Sequence, residues 1–223
     1  MREIIFDTET TGLSPGDGHR LVEIGCVELV NRIETGRTYH VYINPDRAMP
    51  AEAEAIHGLS ATFLADKPRF AEIVGDFLAF IGDAPLVAHN AMFDMGFINA
   101  ELKRAGKPPI FIERATDTLA IARTKFPGSK HSLDALCQRY DIDRSMRVHH
   151  GALLDAQLLS QVYVELTGGR QIGFDLVEDV VVAATVSITR QFREPRVFAA
   201  SPAELERHVA FIAKLKEPVW LLP

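Results

Sequence analysis

The chain is poor in cysteine, has no long apolar run and carries no excess of positive charge. Only two cysteines, Cys26 and Cys137, occur in 223 residues, and neither has a CxxC partner. A disulfide framework and a thiolate zinc site are thereby excluded. Two isolated reduced thiols fit a cytosolic protein. No apolar run approaches the roughly 18 residues of a membrane helix. Met1 to Phe6 meets acid at Asp7 too soon to act as a signal peptide. With 24 Lys and Arg against 30 Asp and Glu, the net charge is −6. That excludes a generally basic nucleic-acid coat and leaves room for a local basic patch. Repeats and low-complexity tracts are also absent. A 47% hydrophobic and 24% charged composition is an ordinary globular balance and argues against a mainly disordered chain. One domain takes about 100 to 200 residues, so one domain plus an appendage is expected.

Glu3 to Phe6 is a short apolar run meeting Asp7 and Glu9, which predicts a buried strand ending in a turn at Gly12, Pro15 and Gly16. Arg20 to Val30 and Thr38 to Ile43 alternate at period two, so the chain starts with three strands and short connections, an antiparallel arrangement. The period then changes. Phe70 to Ile81 has helical spacing, Pro85 to Ala88 is a short strand, and Phe93 to Leu102 marks a helix ending near Gly106. Ser132 to Tyr140 reads as a short helix. Leu154, Leu158, Val162 and Leu166 mark a longer one, stopped by Gly168-Gly169. This order predicts an α/β domain with a mixed sheet. Gly168-Gly169 is the expected boundary, dividing residues 1–169 from a linker at 170–195 and a C-terminal segment at 196–223. Ser201-Pro202-Ala203-Glu204 has the form of a helix start, with Ser as N-cap, Pro first and Glu third. From 189 onward six Lys and Arg face four Asp and Glu, so this tail is +2.

Acidic side chains beside a buried strand call for a reason. Asp7 and Glu9 are two apart and share a face of an extended strand. Their repulsion is relieved by a hard divalent cation, and Mg²⁺ and Mn²⁺ favour oxygen ligands. Alone, such a pair is more often solvated surface charge. Asp94, in His89-Asn90-Ala91-Met92-Phe93-Asp94, begins a helix directly after a strand, where α/β sheets place their sites. Alone, it is an ordinary first-turn Asp. Asp155 lies early in the long helix, with His150 five residues before it; the two converge only if His150 sits on the incoming loop. Together these groups give four carboxylates and one imidazole, the inventory for two-metal hydrolysis of a phosphodiester. An unperturbed His titrates near a pKa of about 6.5, which suits a general base for water.

Phe6-Asp7-Thr8-Glu9-Thr10-Thr11-Gly12-Leu13, His89 to Asp94, and His150-Gly151-Ala152-Leu153-Leu154-Asp155 resemble the three motifs of the DnaQ-like exonuclease family, of the DEDDh type. The likeness continues through Val22-Glu23-Ile24-Gly25, Ile56-His57-Gly58 and Ser132-Leu133-Asp134-Ala135-Leu136-Cys137, and covers about residues 1 to 169. It is similar above all to the proofreading branch of that family in bacterial replicases. The resemblance implies a ribonuclease H-like fold and removal of nucleotides from a DNA 3′ end. It implies metal binding by Asp7, Glu9, Asp94 and Asp155, with two Mg²⁺ or Mn²⁺ ions, and a general base at His150 rather than at His149. Substrate contacts are implied at Thr8, Thr10, Leu13, His57, Asn90 and Phe93. Leu13 and Phe93 are apolar enough to wedge or stack on terminal bases; Phe93 is equally well read as a core aromatic.

The tail extends the resemblance. Gln171-Ile172-Gly173-Phe174-Asp175-Leu176 is similar to a sliding-clamp peptide, with Gln171, Phe174 and Leu176 as its anchors. Residues 196–222 resemble the segment that anchors to the polymerase (alpha) subunit, through Leu205, Val209, Ile212 and Trp220. A small third core subunit is a further partner, and a cytoplasmic, nucleoid-associated replisome is the implied setting. One departure stands out: Val177 to Ile188 is apolar and β-branched where the family has a polar linker. Two alternatives remain. An RNA-trimming exonuclease would use the same residues but needs no polymerase anchor, and a catalytically dead scaffold is opposed by the complete set of acids and His150.

Overall fold

Alternation along the first strand decides how the molecule is layered. The structure is a computed structural model, and it describes residues 1–147, 149–169 and 199–216. The strands are β1 (Arg2–Thr10), β2 (Leu21–Val30), β3 (Ile33–Tyr42), β4 (Leu86–Ala88) and β5 (Ala115–Asp117). The helices are α1 (Ala51–His57), α2 (Ala61–Leu64), α3 (Phe70–Ile81), α4 (Ala91–Arg104), α5 (Thr118–Lys125), α6 (Leu133–Arg139), α7 (Ala152–Leu166) and α8 (Pro202–Ile212). The chain divides into two units, and only α8 with its flanks is described in the second.

In the first unit the sheet order is β3-β2-β1-β4-β5. β1, β2 and β3 pair antiparallel, as the short connections predict. β4 and β5 join in parallel to β1 and to each other, because helical crossovers feed them. Successive residues of β1 point to opposite faces. Ile4 and Phe6 enter a core with Phe70 and Phe77 of α3 and Phe97 and Ile98 of α4. Ile5 enters the opposite core with Val87, Ala156, Leu159 and Tyr163, the last three on α7. Burying one such phenylalanine side chain stabilises the fold by about 1.5–3 kcal/mol. The paired N–H groups of Arg20 clamp both Glu101 oxygens at 2.5 and 2.9 Å, fastening α4 to the start of β2. Cys26 and Cys137 are free and buried.

β1 runs through Asp7 and Glu9 to Thr10, short of the predicted turn at Gly12, with a register shift between Glu9 and Thr10. Two details differ from the sequence reading. The Leu158, Val162, Leu166 row of α7 faces a third core with Ala122, Leu136 and Cys137, whereas the sheet side is Ala156, Leu159 and Tyr163. α7 is thus packed on two sides. The sequence pattern predicts none of β5, α1, α2 and α5. In the second unit, α8 begins as predicted. The Ser201 hydroxyl accepts from the Glu204 amide, and the Glu204 carboxylate accepts from the Ser201 amide at 2.8 Å. Leu205 and Val209 are exposed and Ile212 is buried. No helix among the described residues is long and apolar enough to cross a membrane.

Candidate active site

Parity along β1 sorts the motif. Asp7 and Glu9 share the face of Ile5, toward α7, while Thr8 shares the face of Phe6, toward α4. Asp7 stands opposite Gly25 of β2, and Glu9 opposite Glu23. A Cβ on Gly25 would lie 2.2 Å from the Leu153 nitrogen and 2.3 Å from the Ala152 carbonyl carbon. Only glycine lets the first turn of α7 settle on β2 beside Asp7. The register shift after Glu9 is a strand irregularity of the kind found beside active sites.

Asp94 enters from the first turn of α4 and is buried. The helix is preceded by Asn90 in the left-handed region at φ 69°, which turns the chain sharply out of β4. The Asp117 carboxylate holds that turn, accepting from the Asn90 and Leu119 amides at 2.9 Å each. The Thr8 hydroxyl donates to Asp94 Oδ1 at 2.7 Å and ties the strand to the helix.

Asp155 lies in the first turn of α7, buried, and His150 sits on the incoming loop. That is the geometry their five-residue spacing demands. His150 Nδ1 is 3.4 Å from Asp155 Oδ2, and the His150 amide donates to the Ile56 carbonyl at 3.3 Å. Arg147 binds both. Its Nε donates to Asp155 Oδ1 at 2.6 Å, and one terminal nitrogen donates to Asp155 Oδ2 at 2.7 Å and to His150 Nδ1 at 2.8 Å. A guanidinium has no lone pair to offer, so Nδ1 is the acceptor and the imidazole is neutral in this arrangement. The remaining terminal nitrogen donates to Asp134 of α6 at 2.8 Å.

The carboxylates converge closely enough to oppose each other's ionisation. Burial, then the charges of Asp94, Glu9 and Asp155, push Asp7 well above the usual carboxylate range. Burial first, then Asp155 and Glu23, push Glu9 up to about 8, against a smaller opposing pull from Arg147. Burial raises Asp94 to about 7, despite the Thr8 hydrogen bond that favours its charged form. Ligand atoms of Glu9, His150 and Asp155 all lie within 4.8 Å of one another. An all-oxygen set with one imidazole, crowded with like charge, fits a hard divalent cation.

The six expected substrate contacts fall into different environments. Leu13, just past β1, is 85% exposed and free to meet a ligand. Phe93 is half-buried against Phe97, with ring centroids 5.1 Å apart, so it serves the core on one side. Asn90 is exposed at its turn. The Thr8 and Thr10 side chains are turned inward, Thr8 donating to Asp94 at 2.7 Å and Thr10 to the Gly12 carbonyl at 2.6 Å. His57 Nδ1 accepts from the Leu59 amide at 3.0 Å, so Nε2 carries the hydrogen. That nitrogen is buried with no hydrogen-bond partner among the described residues, and burial lowers the His57 pKa. Gln171, Phe174, Leu176 and Trp220 lie outside the described residues, as does the apolar stretch 177–188. Sequence reasoning assigns no role to Arg147, Asp117 or Asp134. Asp134 stands inside a recognised stretch, but its partner Arg147 lies 13 residues away and signals nothing by spacing.

Residues 4–163 match the RNase_T family model, described as exonuclease, and the chain belongs to that family. Within it, the chain is similar to DNA polymerase III subunit epsilon of Rickettsia felis, at 50% identity over 222 residues, covering 96% of this chain and 97% of the relative. The same subunit of Escherichia coli is 46% identical over 221 residues, covering 94% and 91%. Among solved structures, exonuclease X in complex with 5′ overhanging duplex DNA aligns with a TM-score of 0.58 at 27% identity, over 74% of this chain and 90% of that one. The nuclease domain of 3′hExo, a DEDDh family member bound to rAMP, aligns with a TM-score of 0.64 at 18% identity, over 74% and 91%. The mixed sheet flanked by helices is thus the ribonuclease H-like exonuclease fold.

Proposed function

We propose that this chain is a 3′–5′ DNA exonuclease that removes misincorporated nucleotides from the primer end, as the proofreading subunit of a bacterial replicative polymerase. The observation that carries the reading is the convergence of Asp7, Glu9, Asp94 and Asp155 with His150 at the end of β1. The near-full-length likeness to polymerase III epsilon subunits supports the setting. An exonuclease relative solved on duplex DNA supports the substrate. An RNA-trimming role has no comparable support, since the RNA-related likenesses are below 20% identity.

Divalent cations, Mg²⁺ or Mn²⁺, would be held by Asp7, Glu9, Asp94 and Asp155, and bound there would polarise the scissile phosphate and lower the pKa of the attacking water. The chain's own groups do the rest. His150 takes the proton of the attacking water at its unprotonated ring nitrogen. Thr8 keeps Asp94 in one rotamer. Leu13 and Phe93 flank the terminal base, and the buried Nε2–H of His57 donates to the sugar or phosphate. The backbones at Thr8, Thr10 and Asn90 face the terminal nucleotide. The exonuclease unit is residues 1–169. Residues 170–195 form a linker in which Gln171, Phe174 and Leu176 meet the sliding clamp, and 196–223 anchor the polymerase subunit. A small third core subunit completes the assembly, at the bacterial nucleoid.

The test is digestion of a 3′-mispaired primer-template with Mg²⁺, beside the Asp7→Ala variant. Stepwise shortening from the 3′ end by the wild type alone is expected, with the variant folded and inactive because it loses a metal ligand rather than core volume. Equal cleavage by both, or preference for an RNA oligonucleotide over DNA, refutes the reading.

A further inference from the structure

Arg147 is the feature of the site that hydrolysis leaves without a task. Its guanidinium is nearly enclosed, with 9% of the side chain exposed, and it engages four acceptors. Three of them are the groups on which the proposed chemistry depends: both oxygens of Asp155, at 2.6 and 2.7 Å, and the Nδ1 lone pair of His150, at 2.8 Å. A carboxylate whose two oxygens accept from one guanidinium is already compensated in charge and fixed in direction. A divalent cation asks for the same oxygens, and two cations on one carboxylate repel each other. A proton arriving at His150 asks for the same lone pair. The fourth contact, to Asp134 at 2.8 Å, is of another kind. Asp134 is half-exposed on α6, outside the carboxylate cluster, and Arg144 pairs with the same oxygen at 2.8 Å. It gives the guanidinium a place to remain when Asp155 lets go.

We infer that Arg147 is a displaceable internal cation: it holds Asp155 and masks His150, and it exchanges with the divalent metal while Asp134 retains it. The inference rests on the proposed metal site and goes beyond it, since it makes metal binding and unmasking of the base one event. Binding of either cation at Asp155 weakens the other, and the coupling is reciprocal.

The experiment compares wild type with Arg147→Gln and Arg147→Lys in the full chain, using Mn²⁺ alone as probe. Free Mn²⁺ is counted by electron paramagnetic resonance, and melting is followed with and without the metal. Arg147→Gln is expected to bind Mn²⁺ about 5–150-fold more tightly, the usual span of such couplings. Arg147→Lys keeps a charge but has no fork to span the three acceptors, so it falls between the two. Without metal, Arg147→Gln melts below wild type, because Asp155 loses its counter-charge; with Mn²⁺ the difference closes. A purely structural arginine lowers both midpoints together. Weaker or unchanged Mn²⁺ binding in Arg147→Gln, parallel loss of both midpoints, or no Mn²⁺ binding by any of the three proteins overturns the inference. These readouts use no DNA, so a failed nuclease assay sinks the proposed function without deciding this point.

Discussion

Glu9 and Asp94 hold protons far above the pH at which free carboxylates lose them. Their ordinary values, 4.5 and 3.8, rise to about 8 and about 7. A group with a raised folded-state pKa contributes stability that is complete below its ordinary value and is lost as pH climbs through the raised one. The metal-free protein is therefore expected to melt at progressively lower temperature between about pH 5 and pH 9. Calorimetry across that range checks it, and a flat midpoint would contradict the crowding of the site. Metal ligands must be ionised, so Mn²⁺ affinity rises over the same interval with release of protons. Titration in two buffers of different ionisation heat measures that release. The same residues show how far a linear reading reaches. Asp7, Glu9, Asp94, His150 and Asp155 are visible as motifs because each has informative neighbours in the chain. Arg147 is not, because its contacts follow from a loop that folds back on α7.

At the scale of elements, α7 and β2 meet through one missing side chain. Gly25 has an extended backbone partner in Asp7, so its role is close approach rather than unusual torsion. Gly25→Val must push the first turn of α7, and with it Asp155, away from the sheet. A loss of about 1–3 kcal/mol is expected from such overpacking, read from the urea midpoint, with activity falling further than stability. Unchanged activity in this variant would mean that the position of Asp155 is not set there. The first three strands and the long helices are readable from period, and the Ser201 capping box from three letters. The two-sided packing of α7 is not. Its Leu158, Val162, Leu166 row faces one core, while Ala156, Leu159 and Tyr163 face the sheet, so apolar residues surround much of the helix and no single stripe marks the sheet side.

For the whole molecule, all five proposed catalytic residues and the three apolar cores lie within residues 1–169. A chain ending at 169 is expected to fold and to shorten single-stranded DNA at the wild-type rate. It is expected to lose co-purification with the polymerase subunit. Retained association would overturn the assignment of the tail. The three antiparallel strands, the mixed sheet, the helix cap and the identity of the acids depend on neighbours along the chain, so the sequence by itself determined them. Burial and charge crowding depend on groups brought together from distant segments. The tertiary structure alone therefore decided that Asp7 and Glu9 face α7 while Thr8 serves Asp94, that Gly25 admits the helix, and that Arg147 rather than solvent meets Asp155. Coulomb energy and desolvation act through space, and sequence separation carries no record of either.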